Sequence, residues 1–325
     1  MAGPTQREQR KPGLKSIHEA REQRARGKHS RASPNLLLYA VVAIAAILLG
    51  YRFFATRQLD RSKEALLSKE RAVEVTVGRE WFPLRDKIEK FVLDAAVGEW
   101  PGDFVDNGAK WDFRSAPGIY LRIRLADARD PTSLHKAAQG SLKDGFVGCL
   151  MREPNAGAAR GDVDAGPFAE QPWNMRQAYA STRILTADWI NDVKASGDDL
   201  RLRVFEQQYE KAAREEIPLA IDLIKRAQFF LLVLDEDPPA AKGDGAPLTE
   251  EMLQLVPHDA RVRLMNLRDG SGTELARMRR RAEGTAISVS GHEVTDPETR
   301  QAMQRQVNNC SLALQVQSVL ALEKK

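Results

Sequence analysis

LLLYAVVAIAAILLGY, residues 36–51, holds no charged side chain and shows no polar stripe on any helical face. Those sixteen residues rise about 24 Å as a helix, somewhat short of the roughly 30 Å hydrocarbon core of a bilayer. Arg52 interrupts the run, and Phe53, Phe54 and Ala55 follow. An arginine at that position extends the span, because its stem stays apolar while its guanidinium snorkels to the headgroups. Tyr51, Phe53 and Phe54 then lie at the aromatic-belt level, and the expected transmembrane helix is 36–55. A buried core helix of the same length keeps one polar stripe, which this run lacks. A cleaved signal peptide needs a small-x-small site, and Phe54 between Phe53 and Ala55 does not supply one. No cysteine follows for a lipoprotein anchor. The stretch reads as an uncleaved signal anchor.

The charge of the chain divides around this run. Residues 1–35 carry nine basic side chains against Glu8, Glu19 and Glu22, a net of +6. Subtracting these and Arg52 from 49 basic and 45 acidic residues leaves 39 basic and 42 acidic in 56–325, a net of −3. The overall +4 therefore belongs to the tail, and the rest lacks the cationic excess that phosphate binding demands, so a nucleic-acid reader is not expected. Little in 1–35 is apolar, which predicts a disordered tail attracted to anionic lipid. A basic tail ahead of a first span is the common N-in arrangement. The abundance of Ala and Arg fits a GC-rich bacterial genome. The expected placement is single-pass in the inner (cytoplasmic) membrane, N-terminus in the cytoplasm and C-terminal domain in the periplasm.

The expected organisation is a disordered basic cytoplasmic tail at 1–35, a signal anchor at 36–55, a charged stalk helix at 56–80 and an extracytoplasmic domain at 81–325. In the stalk Leu59, Leu66 and Val73 recur at seven-residue spacing, too briefly for a coiled coil, with Ser62 and Lys69 on the partner positions. Leu84, Ile88, Phe91, Val92 and Ala95 predict a helix. Ile119, Leu121, Ile123 and Leu125, alternating with Tyr120, Arg122 and Arg124, predict a half-buried strand. A short helix at 133–142 precedes a strand at 146–151, and 153–172 reads as a loop. Met175 to Val193 predicts one helix, Leu202 to Ala213 another, and Ile217 to Ala227 a third broken at Pro218. FFLLVL, residues 229–234, has no polar position and fits a fully buried strand. Residues 238–247 form a linker. Val262, Leu264 and Leu267, the Gly270–Gly272 turn, then Leu275 and Met278 read as a β-hairpin. The terminal helix at 298–322 places Met303, Val307, Cys310, Leu314 and Val319 on its apolar face. Helices and strands mix without strict alternation, so the expected fold class is α+β.

Chemistry-bearing patterns are sparse. Asp235, Glu236 and Asp237 follow the buried strand, and such carboxylates suit Mg²⁺ or Ca²⁺, or solvated charge where the chain surfaces. His18, His29, His135, His258 and His292 show no zinc-type spacing. There is no G-x-S-x-G elbow, Walker loop or G-x-G-x-x-G fingerprint. Arg277, Arg279, Arg280 and Arg281 form a basic patch that suits an anionic partner, or one that blocks edge-to-edge pairing of a strand. Cys149 and Cys310, the only cysteines, are candidates for a disulfide closing a loop of some 160 residues, worth about 4–5 kcal/mol in the chain-entropy treatment; as buried free thiols they would also fit their apolar surroundings. No cofactor is expected. The expected function is a non-enzymatic membrane-anchored envelope protein, the scaffold or accessory subunit of a membrane complex with a protein partner. The alternatives are a periplasmic ligand-binding or sensor domain and a membrane-tethered hydrolase using Asp235–Asp237.

Overall fold

The computed structural model describes residues 34–106, 116–140, 144–151, 172–238, 248–268, 270, 272–284 and 296–320. The basic tail, most of the loop at 153–172, nearly all of the linker at 238–247 and the segment around His292 lie outside them. The chain falls into two compact units, Met1–Asp60 and Arg61–Lys325.

In the first unit the described residues are helical, part of α1 (Pro34–Val73). Along its apolar stretch Leu37, Ile44, Leu48 and Phe54 are all exposed. Among the described residues this is the one helix long and apolar enough to cross a membrane.

The second unit is a mixed α+β fold built on a six-stranded sheet. Its strands are β1 (Phe104–Val105), β2 (Gly118–Arg124), β3 (Trp173–Asn174), β4 (Phe229–Asp235), β5 (His258–Asn266) and β6 (Glu274–Ala282), ordered β1-β6-β5-β4-β2-β3. β2 runs parallel to β3 and β4, while β4, β5, β6 and β1 pair antiparallel. The helices, after α1, are α2 (Arg79–Ala96), α3 (Pro131–Gly140), α4 (Phe146–Leu150), α5 (Arg176–Ser181), α6 (Ala187–Ala195), α7 (Asp199–Lys211), α8 (Ile217–Arg226), α9 (Glu250–Leu253) and α10 (Pro297–Leu320). Single π-turns at Glu74–Gly78 and Ala212–Glu216 precede α2 and α8.

Alternation along each strand sorts side chains onto two faces. On one face Phe229, Leu231 and Val233 of β4 join Val262, Leu264, Ala276 and Met278, under Phe146 and Leu150 of α4 and Leu312, Ala313 and Val316 of α10. On the other, Ile119, Leu121, Ile123, Phe230, Leu232 and Leu234 are buried, with α3 and α8 against β2. β4 is therefore buried on both faces, as its uniform apolar run predicts. The hairpin turn between β5 and β6 uses glycine where the backbone is left-handed, with φ of 73° at Gly270 and 67° at Gly272.

Several expectations change. Residues 146–150 form helix α4, because Phe146, Cys149 and Leu150 share a buried helical face that a strand would split. The helix expected across 175–193 is two: Thr186 is extended and its hydroxyl accepts from the Trp189 amide, capping a new helix, α6. α8 does not break at Pro218, which lies in its first turn where no N–H is needed. β2 is buried on both faces, Arg122 included. The covered face of α10 is set by Asn308, Asn309, Leu312, Ala313 and Val316, and Leu314 is half exposed.

The segment just after Asp60, read from sequence as stalk, is tied into the second unit. Leu66 and Leu67 are buried, the Tyr209 hydroxyl of α7 donates to the Lys69 carbonyl at 2.9 Å, and Lys63 Nζ donates to the Lys194 carbonyl at 3.0 Å. Burying two leucines contributes on the order of 3–6 kcal/mol. A fragment 61–325 is therefore expected to resist urea better than 81–325 by about 3 kcal/mol or more. Equal unfolding midpoints and slopes would detach residues 61–80 from the fold.

Candidate functional site

β2 carries Arg122 onto the sheet face that α4 and α10 cover, where its side chain is 1% exposed. A cation there must find carboxylates, since desolvation of an unpaired charge costs several kcal/mol. Arg122 Nε donates to Asp235 Oδ2 at 2.7 Å and Nη2 to Asp235 Oδ1 at 3.0 Å, a two-pronged pair across the β2–β4 register. Nη1 donates to Asp144 Oδ2 at 3.1 Å and to Asn309 Oδ1 of α10 at 2.7 Å. Asp144 also accepts from the Tyr120 hydroxyl at 2.8 Å. His258, wholly buried at the start of β5, places Nε2 3.0 Å from Asp235 Oδ1 and Nδ1 2.8 Å from the Val256 carbonyl oxygen. Asn309 Nδ2 donates to Gln254 Oε1 at 3.3 Å, and Asn308 Nδ2 to the Gln254 carbonyl at 3.0 Å. One network thus joins β2, β4, β5, α10 and the turn after α9.

Burial alone would raise the Asp235 carboxyl. The Arg122 charge and the hydrogen bond from His258 outweigh that and hold it down at about 2. Burial, then the Asp144 charge, push the Tyr120 phenol well up, so it remains a donor. Burial also disfavours the Arg122 cation, yet Asp235 and Asp144 more than compensate and raise it well above its ordinary value.

The three consecutive acids do not form one site. Asp235 and Asp237 point to one face and Glu236 to the other, and each meets its own arginine. Asp237 accepts from Arg124 Nη2 at 2.8 Å, while Glu236 accepts from Arg261 Nε at 2.7 Å and from Arg279 Nη2 at 2.8 Å. Among the described residues no group of three or more His, Cys, Asp or Glu is arranged to hold a metal ion.

The basic patch spreads over two directions. Arg277, Arg279 and Arg281 share a sheet face with Arg261 and Arg263, and β5–β6 register pairs Arg263 with Arg277 and Arg261 with Arg279. Acids interleave them: Glu274 bridges Arg263 and Arg277, and Asp259 lies 3.1 Å from Arg279 and 3.6 Å from Arg281. Arg261 and Arg263 also lie over the Trp100 ring, 5.7 and 5.8 Å from its centroid. Arg280 turns to Asp103 at the β1 edge. Where β1 ends, side chains continue the pairing of β6: Asp103 Oδ1 accepts from the Arg279 amide and Gln315 Nε2 donates to the Arg281 carbonyl.

His135 lies in a smaller cluster, its Nδ1 3.4 Å from Glu89 Oε1 and its Nε2 2.9 Å from Gln139 Nε2. Cys149 on α4 and Cys310 on α10 are joined, with Cα atoms 5.1 Å apart. No family model, curated protein or solved structure matches this chain.

Sequence reasoning missed Arg122, Asp144, Asn308, Asn309 and Gln254 as members of one network. The available signal was Asp235, a lone carboxylate closing an otherwise apolar strand: it needs a cation on a neighbouring strand, and Arg122 is within its reach.

Replacing Arg122 with Met leaves Asp235 and Asp144 buried without a cation and is expected to cost about 3–5 kcal/mol in urea unfolding. Arg279→Ala, at a half-exposed ion pair, is expected to cost under about 1 kcal/mol. Because the Asp235 carboxyl is lowered, its contribution is present above the unfolded aspartate value of about 3.9 and is lost as pH falls toward about 2. Acid unfolding followed with an Asp235→Asn comparison checks that sign: the variant should lose stability less steeply across this window. For the cysteines, alkylation after unfolding of non-reduced protein should label neither Cys149 nor Cys310.

Proposed function

We propose that this chain is a single-pass membrane protein of a bacterial envelope, with its N-terminus in the cytoplasm and its α+β unit in the periplasm, acting as a scaffold or accessory subunit of a membrane complex. The observation that carries the reading is the uncovered apolar helix: Leu37 to Phe54 expose large side chains on all sides, which only a lipid surface or another protein would bury. The nine Lys and Arg of residues 1–35 favour retention of that end inside and add attraction to anionic lipid. An oxidising compartment is consistent with the joined cysteines.

The scaffold reading draws on how the charged groups of the second unit are used. Arg122, paired with Asp235 and Asp144, donates to Asn309 of α10, and Glu236, Asp237, Glu274 and Asp259 are each engaged by arginines. The acids that a hydrolase would need are thus committed to the fold. A ligand-binding reading draws on one groove of about 370 Å³, lined by Thr76, Val77, Glu80, Pro218, Ile221, Asp222 and Lys225 beside both π-turns. It is of ligand-site size, but two of its lining residues, Glu80 and Lys225, are paired with each other.

A reporter active only outside the cytoplasm, fused after Lys325, is expected to give signal in the full-length chain. Signal instead from a reporter active only in the cytoplasm would overturn the orientation.

A further inference from the structure

We propose that the groove where α2 and α8 meet is a binding site for a small aliphatic zwitterion, an α-amino acid, and that the Glu80–Lys225 ion pair holds the place of its two charges. The proposal rests on the ligand-binding reading of that groove and goes further by naming the class of ligand. Two local departures from α-helical geometry border the site. The π-turn Glu74–Gly78 contributes Thr76 and Val77 to one wall, and the π-turn Ala212–Glu216 leads into Pro218 on the other. Single π-turns within helices are frequent at functional sites, and here two of them flank one groove.

The lining divides by chemistry. Val77, Pro218 and Ile221 supply an apolar surface, with Ile221 buried and Val77 half-buried. Thr76 adds no free donor, because its hydroxyl proton is already directed at the Ala72 and Val73 carbonyls. Glu80, Asp222 and Lys225 supply the charges. A space of about 370 Å³ with an apolar wall and a few convergent polar groups matches the small-molecule sites of other proteins. Glu74, Arg79, Arg214, Glu215 and Glu216, on the same two turns, are not among its lining residues.

Charge pairing selects the ligand class. Glu80 pairs with Lys225, and Asp222 pairs at 2.8 Å with Arg226, which does not line the groove. The Glu80 and Lys225 side chains are 54% and 51% exposed. An ion pair this wet holds its partners weakly, so a ligand can open it easily. A cationic ligand at Glu80 would leave Lys225 without its partner, and an anionic ligand at Lys225 would leave Glu80 without its own. A zwitterion replaces both: its ammonium meets Glu80, its carboxylate meets the Lys225 ammonium, and Asp222 keeps Arg226. One pair becomes two, and no charge on either molecule is stranded. In an α-amino acid the two charged groups share one carbon, so they fit between two side chains that already touch. The side chain on that carbon then lies against Val77, Pro218 and Ile221. Those three side chains offer no hydrogen bond, so an aliphatic group suits them and a polar one would lose its water partners there.

The test is isothermal titration of the full-length protein in detergent micelles with three probes of matched shape. These are L-leucine, 4-methylpentanoate, which lacks the ammonium, and 3-methylbutylamine, which lacks the carboxylate. L-leucine is expected to bind saturably, and each truncated probe about tenfold more weakly or worse, through the loss of one charge-assisted contact. Lys225→Met should weaken L-leucine by about tenfold and remove its advantage over 3-methylbutylamine. Glu80→Gln should remove its advantage over 4-methylpentanoate. A truncated probe that binds as tightly as L-leucine overturns the zwitterion assignment while leaving the groove a ligand site. Absence of saturable binding by all three probes overturns the ligand-binding reading and the proposal with it. L-leucine binding that is unchanged in a folded Lys225→Met variant puts the ligand elsewhere and overturns the proposal as well. If a variant does not fold, the ranking of the three probes on the native chain decides the question.

Discussion

A guanidinium taken out of water has to be met by carboxylates of matching geometry, and in this protein that requirement fixes how the layers join. Arg122 and Asp235 are on neighbouring parallel strands, and their two-pronged contact is wholly buried. Around that pair Asp144 anchors the start of α4, Asn309 anchors α10, and His258 anchors the start of β5. Apolar burial supplies the bulk of the stability: Phe230, Leu231, Leu232 and Val233 are inaccessible on both sides of the sheet. Apolar contact is nevertheless non-directional, and many placements of a helix on a sheet would satisfy it. The polar network selects one placement, since any slip of α10 or β5 leaves buried hydrogen-bonding groups without their partners.

The same logic, in a wetter setting, explains the opposite face of β5 and β6. There glutamates and aspartates are interspersed among the arginines, three of which rest on Trp100 or Phe104, so much of the positive charge is paired at the surface. Exposed pairs of this kind contribute little individually. Their consequence is negative: they leave a strand face that does not invite another strand or a hydrophobic partner, with the edge beyond β1 closed by Asp103 and Gln315.

Much of the fold was legible in the sequence where a pattern is local. The apolar helix, the buried strand β4, the β5–β6 hairpin and helices α2 and α7 follow from periodicity and turn chemistry. Misreadings fell where tertiary context overrides period. FVGCL is too short for its period to declare itself, and it became α4 because Phe146, Cys149 and Leu150 face Leu312 and Val316. Arg122 and Arg124 read as a solvated strand face, because an arginine at alternate positions looks alike whether water or a buried aspartate receives it. α10 was rotated in the sequence reading for a related reason: its covered face carries Asn308 and Asn309, polar residues that an apolar-stripe argument discards. The acidic triplet was visible, but its division among Arg122, Arg124, Arg261 and Arg279 depends on strands distant in sequence.

Arg122 and Asp235 act as one buried unit on which the placement of the layers depends. A double-mutant cycle with Arg122→Met, Asp235→Leu and the pair together, followed by urea unfolding, measures it most directly. The double variant is expected to lose less than the sum of the single losses, with a coupling of about 0.5–3 kcal/mol, because each single change takes from a buried charge its two-pronged partner. Losses that add to within about 0.3 kcal/mol would show the two residues acting independently and would contradict it.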